Sequence, residues 1–399
     1  MYPDLSYFFH DFLGTEVDNW TSMFKTFGLF LALTFYSAFV LIKKELKRKE
    51  LEGDIPKLIL TSKGTSIIPE TFFNALFGFI VGFKVPYIYK NFDAFKANPP
   101  EVIFTSEGNF AVGILLAVLL SVYFYFDIKN RPQPAAGTKL AYSAYQKTGN
   151  IILVAALTGL IGSRFMSIFE NWDSFIQAPI EQLLSGSGLT IFGGYILATI
   201  GVIVYTKKIG INTAHMADVA APALLFGYGV GRMGCQFSGD GDWGIANVKP
   251  KPDWFIFPDW AWSYDYPRNV ADMAQRGEKI PDCVGAFCTH LNPPVYPTPI
   301  YEIITSFILF LFIWSIRKKI KTPGRLFFLY LILSGIARFF VEIIRVNPRY
   351  ELFGLNWSLS QSLSAGIVLI GIIGMFLSKK KPDKNQYAIP EMQEPKPPV

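Results

Sequence analysis

The sequence is poor in charge. Only 17% of its 399 residues are Asp, Glu, Lys or Arg, while 51% are apolar; an average soluble protein carries roughly 25% charged residues. A chain of this length could hold two or three soluble domains. Its apolar residues instead fall in blocks of about twenty separated by short charged loops, which excludes that arrangement and marks a polytopic membrane protein. Cysteine is scarce, and three residues exclude a disulfide-dense secreted scaffold. Histidine is as scarce. None of His10, His215 and His290 lies inside an apolar block, so a proton acceptor deep in the membrane has to be another residue. Met1–Thr21 is polar and acidic without a basic segment, so no cleavable signal peptide is expected before the first block. The net charge of +6 needs no nucleic-acid partner, because most basic residues sit in loops beside apolar blocks.

Nine spans are read, at about 24–42, 71–90, 109–127, 150–170, 188–206, 217–238, 298–316, 326–345 and 356–378. The expected fold is therefore an all-α helical bundle. Basic residues gather in the loops after spans 1, 3, 5, 7 and 9, as in Lys43, Lys44 and Lys47 or Arg317, Lys318 and Lys319. Nine spans put all five loops on one side, which the positive-inside rule makes the cytoplasm. The N-terminus is then outside and the C-terminus inside. On the opposite face one loop, 239–297, is too long for a simple connector and is expected to form a cap. Residues 379–399, rich in Lys, Pro, Glu and Gln, read as a disordered cytoplasmic tail.

Part of the chain is repeated. Asn91, Asp93, Phe95, Pro99 and Glu101 recur 80 residues later as Asn171, Asp173, Phe175, Pro179 and Glu181, and Gly108 and Gly113 recur as Gly188 and Gly193. Spans 2–3 thus read as a degenerate parallel copy of spans 4–5, unlike the inverted repeats of many transporters. Four regions follow: 1–70 with the first span, an extra hairpin at 71–149, a core at 150–378 and the tail.

Charge at membrane depth carries the chemical information. An ionised side chain at the bilayer centre costs about 2.5–3.5 kcal/mol even on a lenient scale. Arg164, Arg232, Glu302, Arg338, Glu342 and Arg345 all fall within spans. The spacing 338, 342, 345 is i, i+4, i+7, one face of a helix. Two readings stay open: a structural Arg–Glu–Arg ladder, or an anion site in which Glu342 positions a guanidinium that grips phosphate. Around Arg232 the glycines 227, 229, 231 and 234 fit close helix packing or approach of a lipid headgroup to the backbone. Their formal match to a dinucleotide fingerprint is spurious, since no strand precedes it. Asp240 and Asp242 follow at the outer surface, where two carboxylates make a weak case for a metal. Cys283 and Cys288 in the outer loop favour a disulfide over zinc, for which a fourth ligand is missing. Cys235 reads as an inert buried thiol.

At these residues the sequence resembles the bacterial prolipoprotein diacylglyceryl transferases. Gly231, Arg232, Met233, Gly234, Gly239, Asp240, Trp243 and Gly244 resemble the family pattern G-R-[LIM]-G-N-x-x-N-G-E-x-W-G. Residues 188–194, ending in Gly193 and Gly194, resemble its G-G-x-x-x-H-G-G segment. Residues 296–302, ending in Tyr301 and Glu302, resemble H-P-[ST]-Q-L-Y-E, and residues 338–345 resemble R-F-x-[VI]-E-x-x-R. Four blocks in the family's order cover most of the chain beyond residue 150.

The resemblance implies a multi-pass inner-membrane enzyme that moves the diacylglyceryl group of phosphatidylglycerol onto the lipobox cysteine of a prolipoprotein, on the periplasmic side, without cofactor or metal. Its partners would be that phospholipid, the prolipoprotein signal peptide and surrounding membrane lipids, and no nucleic acid. It implies Arg232, Arg338, Asp240 and Glu342 as catalytic residues. Arg164, Gly193, Gly194, Gly231, Gly234, Gly244, Glu302 and Arg345 would bind substrate. The family's His before Gly193 is Phe192 here, its Asn after the signature arginine is Cys235, and one of its tyrosines is Ser334. Phe192 accepts no proton, so three readings stay open: the base is Asp240, Asp242, Glu302 or, less favoured, Tyr296; the arginines suffice with an already ionised thiol; or this copy is inactive. It also motivates a rival reading as a non-catalytic lipid- or lipoprotein-binding paralogue. A transporter is the third reading.

Overall fold

A computed structural model describes residues 1–61, 67–97, 102–103, 105–130, 137–177, 179, 190–271, 277–352 and 355–378. The tail 379–399, and Gly188 of the repeated glycine block, lie outside the described residues. The fold is built on helices. A short helix α1 (Leu5–Leu13) precedes α2 (Thr26–Leu51). Next come α3 (Ile67–Lys90), α4 (Phe92–Ala97) and α5 (Phe110–Asn130), then α6 (Thr148–Glu170), α7 (Trp172–Gln177) and α8 (Ile191–Lys208). The chain continues through α9 (Thr213–Ser238), α10 (Asp259–Trp262), α11 (Thr298–Ile316), α12 (Arg325–Val341) and α13 (Leu359–Leu377). Three antiparallel two-stranded ribbons join them: Leu58–Thr61 with Lys139–Tyr142, Gly277–Lys279 with Thr289–Leu291, and Arg349–Leu352 with Leu355–Ser358.

All nine expected apolar segments are helical. Among the described residues seven helices are long and apolar enough to cross a membrane: Thr26–Leu51, Thr71–Lys90, Phe110–Asn130, Ala144–Glu170, Thr298–Ile316, Arg325–Ile344 and Leu359–Leu377. The chain is thus a polytopic helical membrane protein. The two expected spans outside this set are α8 and α9. α9 is rich in glycine and alanine and carries Asp218 and Arg232, because its surroundings are protein. It packs against α2, α8, α11 and α12, with Gly227 against Thr34, Gly229 against the Phe307 ring and Gly234 against Phe27 and Phe30. Fifteen of its residues are buried, whereas a lipid-facing helix needs an apolar exterior.

The two hairpins share local backbone contacts. Asn91 N donates to Tyr87 O and Phe95 N to Asn91 O, both at 3.0 Å; Asn171 N donates to Ser167 O and Phe175 N to Asn171 O, again at 3.0 Å. Each Asn side chain also reaches back to the i−4 carbonyl at 3.0 Å. α3 pairs with α5, and α6 with α8. At the crossings Gly82 meets the Val112 carbonyl, and Gly162 meets the Gly193 carbonyl.

At the basic end, buried Lys49 lies 3.5 Å from the Asp218 carboxylate. Asp218 accepts from Gly324 N (2.9 Å) and Phe327 N (3.1 Å), supplying a cap for α12, whose own N-cap residue Gly324 offers none. At the opposite end residues 239–271 and 277–297 gather over Trp243, Tyr266, Leu291 and Val295. Cys283 and Cys288 are joined by a disulfide, and the Tyr7 hydroxyl of α1 accepts from Phe287 N at 3.2 Å, tying that loop to the N-terminal segment.

Candidate active site

Arg232 lies one turn after Tyr228 on α9, so both side chains point the same way. They meet Glu302 in the first turns of α11. The Tyr228 hydroxyl donates to Glu302 Oε1 at 2.6 Å, and Arg232 Nε stands 3.1 Å from Glu302 Oε2. From α12, Arg338 Nη1 donates to Glu302 Oε1 at 3.0 Å, and Arg338 Nη2 pairs with Glu342 Oε2 at 2.9 Å. Arg345 Nη1 lies 3.7 Å from Glu302 Oε2. One buried carboxylate therefore faces three guanidiniums.

The face expected over 338–345 is interrupted. Regular helix stops at Val341, Glu342–Ile344 form a 3-10 turn, and Arg345 is extended. The cause is the cap: Ile245 N takes the Ile344 carbonyl at 2.8 Å, and Gly244 pairs with Arg345 as an isolated bridge. A Cβ at Gly244 would stand 2.6 Å from Ile344 O and 2.9 Å from Tyr296 Cβ, so only glycine permits this approach. Glu342 is fully buried. It accepts from Ser358 Oγ at 2.8 Å and from Asn347 Nδ2, which fixes the carboxylate that holds Arg338.

Asp242 closes the cluster from the loop after α9. It pairs with Arg232 Nη1, and its Oδ1 accepts from Arg345 Nη2 at 2.5 Å. Its backbone carbonyl accepts from Thr298 Oγ1 at 2.8 Å. Burial alone would push the Asp242 carboxyl up, but the Arg232 and Arg345 guanidiniums outweigh it and hold it down to about 2. Asp240 differs. Among the described residues it forms no ion pair; it accepts from Asp242 N at 3.2 Å and sits between Gly239 and Gly241, both at positive φ. Burial, with the neighbouring Asp242 charge, pushes the Asp240 carboxyl above the ordinary range.

Arg232, Arg338 and Arg345 balance Asp242, Glu302 and Glu342, three charges against three. Such a network is stable only if its polar atoms are satisfied. Here Glu302 Oε2 and Glu342 Oε2 meet guanidiniums as ion pairs without an aligned hydrogen bond among the described residues, and Arg345 Nε and Nη1 are buried beside them in the same way. Arg338 and Arg345 are each ion-paired with Glu342 and Glu302, and Arg345 also with Asp242. Arg338 keeps 26% of its side chain exposed, so the cluster opens outward at that residue. Among the described residues Cys235, Asp240 and Asp242 form the one group with donor atoms within 4.8 Å of one another. Two guanidiniums on Asp242 put positive charge where a cation would sit.

Of the residues expected from sequence, the fold gathers Arg232, Glu302, Arg338, Glu342 and Arg345, with Gly244 joining the cap to them. Asp242, rather than Asp240, takes the guanidiniums. Arg164 is not among the guanidiniums paired to Glu302, Glu342 or Asp242. It lies beside the crossing of α6 and α8, where Gly193 faces Gly162 and Gly194 faces Ser163. Gly231 and Gly234 pack against α2. Phe192 is exposed on the first turn of α8. Tyr228, Ser358 and Asn347 were not singled out by the sequence; only the i, i+4 spacing of Tyr228 to Arg232 offered a signal.

Comparison with known proteins places this arrangement. Residues 110–377 match the family model described as prolipoprotein diacylglyceryl transferase, a stretch that starts with α5 and contains every member of the charge cluster. A phosphatidylglycerol–prolipoprotein diacylglyceryl transferase of Dehalococcoides mccartyi is 30% identical over 304 residues, covering 73% of this chain and 99% of that protein. A second such enzyme of Clostridium perfringens is 28% identical over 246 residues, covering 61% and 84%. One from Bacillus cereus is 27% identical over 232 residues, covering 58% and 76%.

Proposed function

This chain belongs to the prolipoprotein diacylglyceryl transferase family, and from that premise we propose how its own residues carry out the transfer. The protein moves the diacylglyceryl group of phosphatidylglycerol to the cysteine thiol of a prolipoprotein, the first step of lipoprotein maturation. The thiolate sulfur attacks the glyceryl carbon that bears the phosphate. A C–S bond forms, the C–O bond to phosphate breaks, and glycerol 1-phosphate leaves with the electron pair.

The observation that carries the roles is the convergence of Arg232, Arg338 and Arg345 on Glu302. Charge develops on the departing phosphate, and guanidiniums already aimed at one point stabilise it without reorganisation. Glu342, held by Ser358, keeps Arg338 in register. The thiol proton needs an acceptor in a chain with Phe192 where the family has His. Asp242 and Glu302 are committed to guanidiniums. Asp240 has no such partner and a carboxyl pushed upward, which brings it nearer a thiol of pKa about 8.5, so it takes the proton. Arg164, Gly193, Gly194, Gly231 and Gly234 line the path of the lipid beside the α6–α8 pair and α2. The lipobox cysteine arrives on the cap side.

Nine spans, an N-terminus outside and basic loops inside put this chemistry at the periplasmic face of the inner membrane. The balance of basic residues between loops supports that orientation. The test is purified protein with phosphatidylglycerol and a lipobox peptide. Thioether product is expected from wild type, and Arg232→Ala or Arg338→Ala should each remove most turnover. Absence of product from wild type overturns the reading.

A further inference from the structure

The cap carries an apolar projection that the reaction does not use. Its two ends are pinned together: Asn247 Nδ2 donates to Trp262 O at 2.7 Å, Ser263 Oγ to Asn247 O at 2.7 Å, and Trp262 Nε1 to Lys249 O at 2.9 Å. Inside it, Phe255 packs on Trp262 at 5.2 Å between ring centres and on Phe257 at 5.4 Å. This scaffold leaves Trp254 74% and Ile256 87% exposed, with Val248, Phe257 and Trp260 also exposed. A rigid display of large apolar side chains calls for a partner.

The root of the projection says which partner. The Tyr301 hydroxyl donates to Ala261 O at 2.8 Å, and Tyr301 stands in the first turn of α11, one of the membrane-crossing helices. Tyr296, just before α11, stacks edge-on with Trp262 at 5.7 Å. The projection is therefore fastened at the end of a membrane-crossing helix whose own Ile304, Ile308 and Leu311 are exposed. Tryptophan is the residue that settles at the headgroup level. The charges allow it: Lys249 and Lys251 balance Asp253 and Asp259, with Lys251 paired to Asp259 at 2.6 Å, so the segment brings no net charge to the headgroups.

We propose that residues 248–260 form an interfacial foot that inserts Trp254, Ile256 and Phe257 among the lipid headgroups of the leaflet under the cap, anchoring the cap to the bilayer surface. The occupant is phospholipid, not a protein.

The test labels the full-length protein at Ile256→Cys with the environment-sensitive fluorophore NBD, in nanodiscs of phosphatidylethanolamine and phosphatidylglycerol. Cys235 is buried and Cys283 and Cys288 are bonded, so the label is unique. A blue-shifted emission is expected, quenched by lipid carrying a nitroxide at acyl carbon 5 and shielded from aqueous iodide. Trp254→Cys should behave likewise, and Glu278→Cys, on an exposed cap strand, should stay open to iodide. Iodide-accessible, water-like emission at 256 and 254 overturns the proposal and leaves the surface to a protein partner. Equal lipid quenching at 278 overturns it too, since the dye itself would then be partitioning. Neither outcome depends on turnover.

Discussion

Arg232 and Arg338, on two different helices, share the two oxygens of Glu302: Nε of the first lies 3.1 Å from Oε2 and Nη1 of the second 3.0 Å from Oε1. The shared carboxylate fixes the distance between two cations that would otherwise repel. It also explains how three guanidiniums are kept charged in a mostly apolar bundle.

The first prediction follows from that sharing. Glu302→Gln preserves shape and removes the charge, leaving the arginines with Asp242 and Glu342 alone. Removing one partner of a buried pair costs about 3–5 kcal/mol. A large fall in thermal midpoint is expected together with loss of most thioether formation. Unchanged stability and turnover would show that Glu302 does not organise the cluster.

The second prediction separates the two aspartates by pH. Asp242 is held down to about 2 from its ordinary 3.8. A lowered carboxyl contributes stability that is fully present above the unfolded value and lost as pH falls through about 2. That pair therefore contributes a constant amount across pH 5–9, and Asp242→Asn should lower stability equally at each pH in that range. Asp240 is raised, so the sign reverses: its contribution is present at acid pH and lost as pH rises through its folded value. As the proton acceptor it must be ionised, so turnover should rise with pH through that value. Asp240→Asn is expected to cut turnover about 100-fold, the lower end of general-base effects, and to erase the acid limb of the pH–rate profile. Retention of that limb would assign the proton to another group.

Much of this was legible in the sequence, for identifiable reasons. Helices read well because a span must bury its own backbone hydrogen bonds and needs some twenty apolar residues to do so. Arg232, Glu302, Arg338, Glu342 and Arg345 stood out because each contradicts its apolar neighbours. Three things did not read. The i, i+4, i+7 ladder ignored the cap, which captures the Ile344 carbonyl and ends the helix before Arg345. The residue types alone did not say which aspartate meets the guanidiniums: Gly241, at positive φ, turns Asp242 onto them and leaves Asp240 aside. Tyr228 was unremarkable because a tyrosine among apolar residues carries no charge to betray it.

The third prediction concerns the helix pair that carries Arg164. A Cβ at Gly162 would lie 2.2 Å from Gly193 O, and one at Gly193 would lie 2.2 Å from Gly162 O. Either Gly→Ala change must push α6 and α8 apart. Overpacking costs about 1–3 kcal/mol, and a lower thermal midpoint in detergent is expected for both. Gly366→Ala on α13 meets nothing within 4 Å and should leave the midpoint unchanged or raise it, since alanine is the better helix former.

The last prediction isolates the join between cap and cluster. Gly244 lets the loop after α9 lie against Ile344 and Tyr296, and the same loop presents Asp242 to Arg232 and Arg345. Gly244→Ala introduces a methyl 2.6 Å from the Ile344 carbonyl, so the loop must retreat and draw Asp242 with it. The helices are untouched. Turnover should therefore fall about 10- to 100-fold, the scale of a 1 Å misplacement at a reacting centre, and the thermal midpoint should fall at least as far as it does for Asp242→Asn. Asp242→Asn in the Gly244→Ala background should add less than it does alone, because the two changes break the same contact. Full additivity would mean that Gly244 acts through something other than the placement of Asp242.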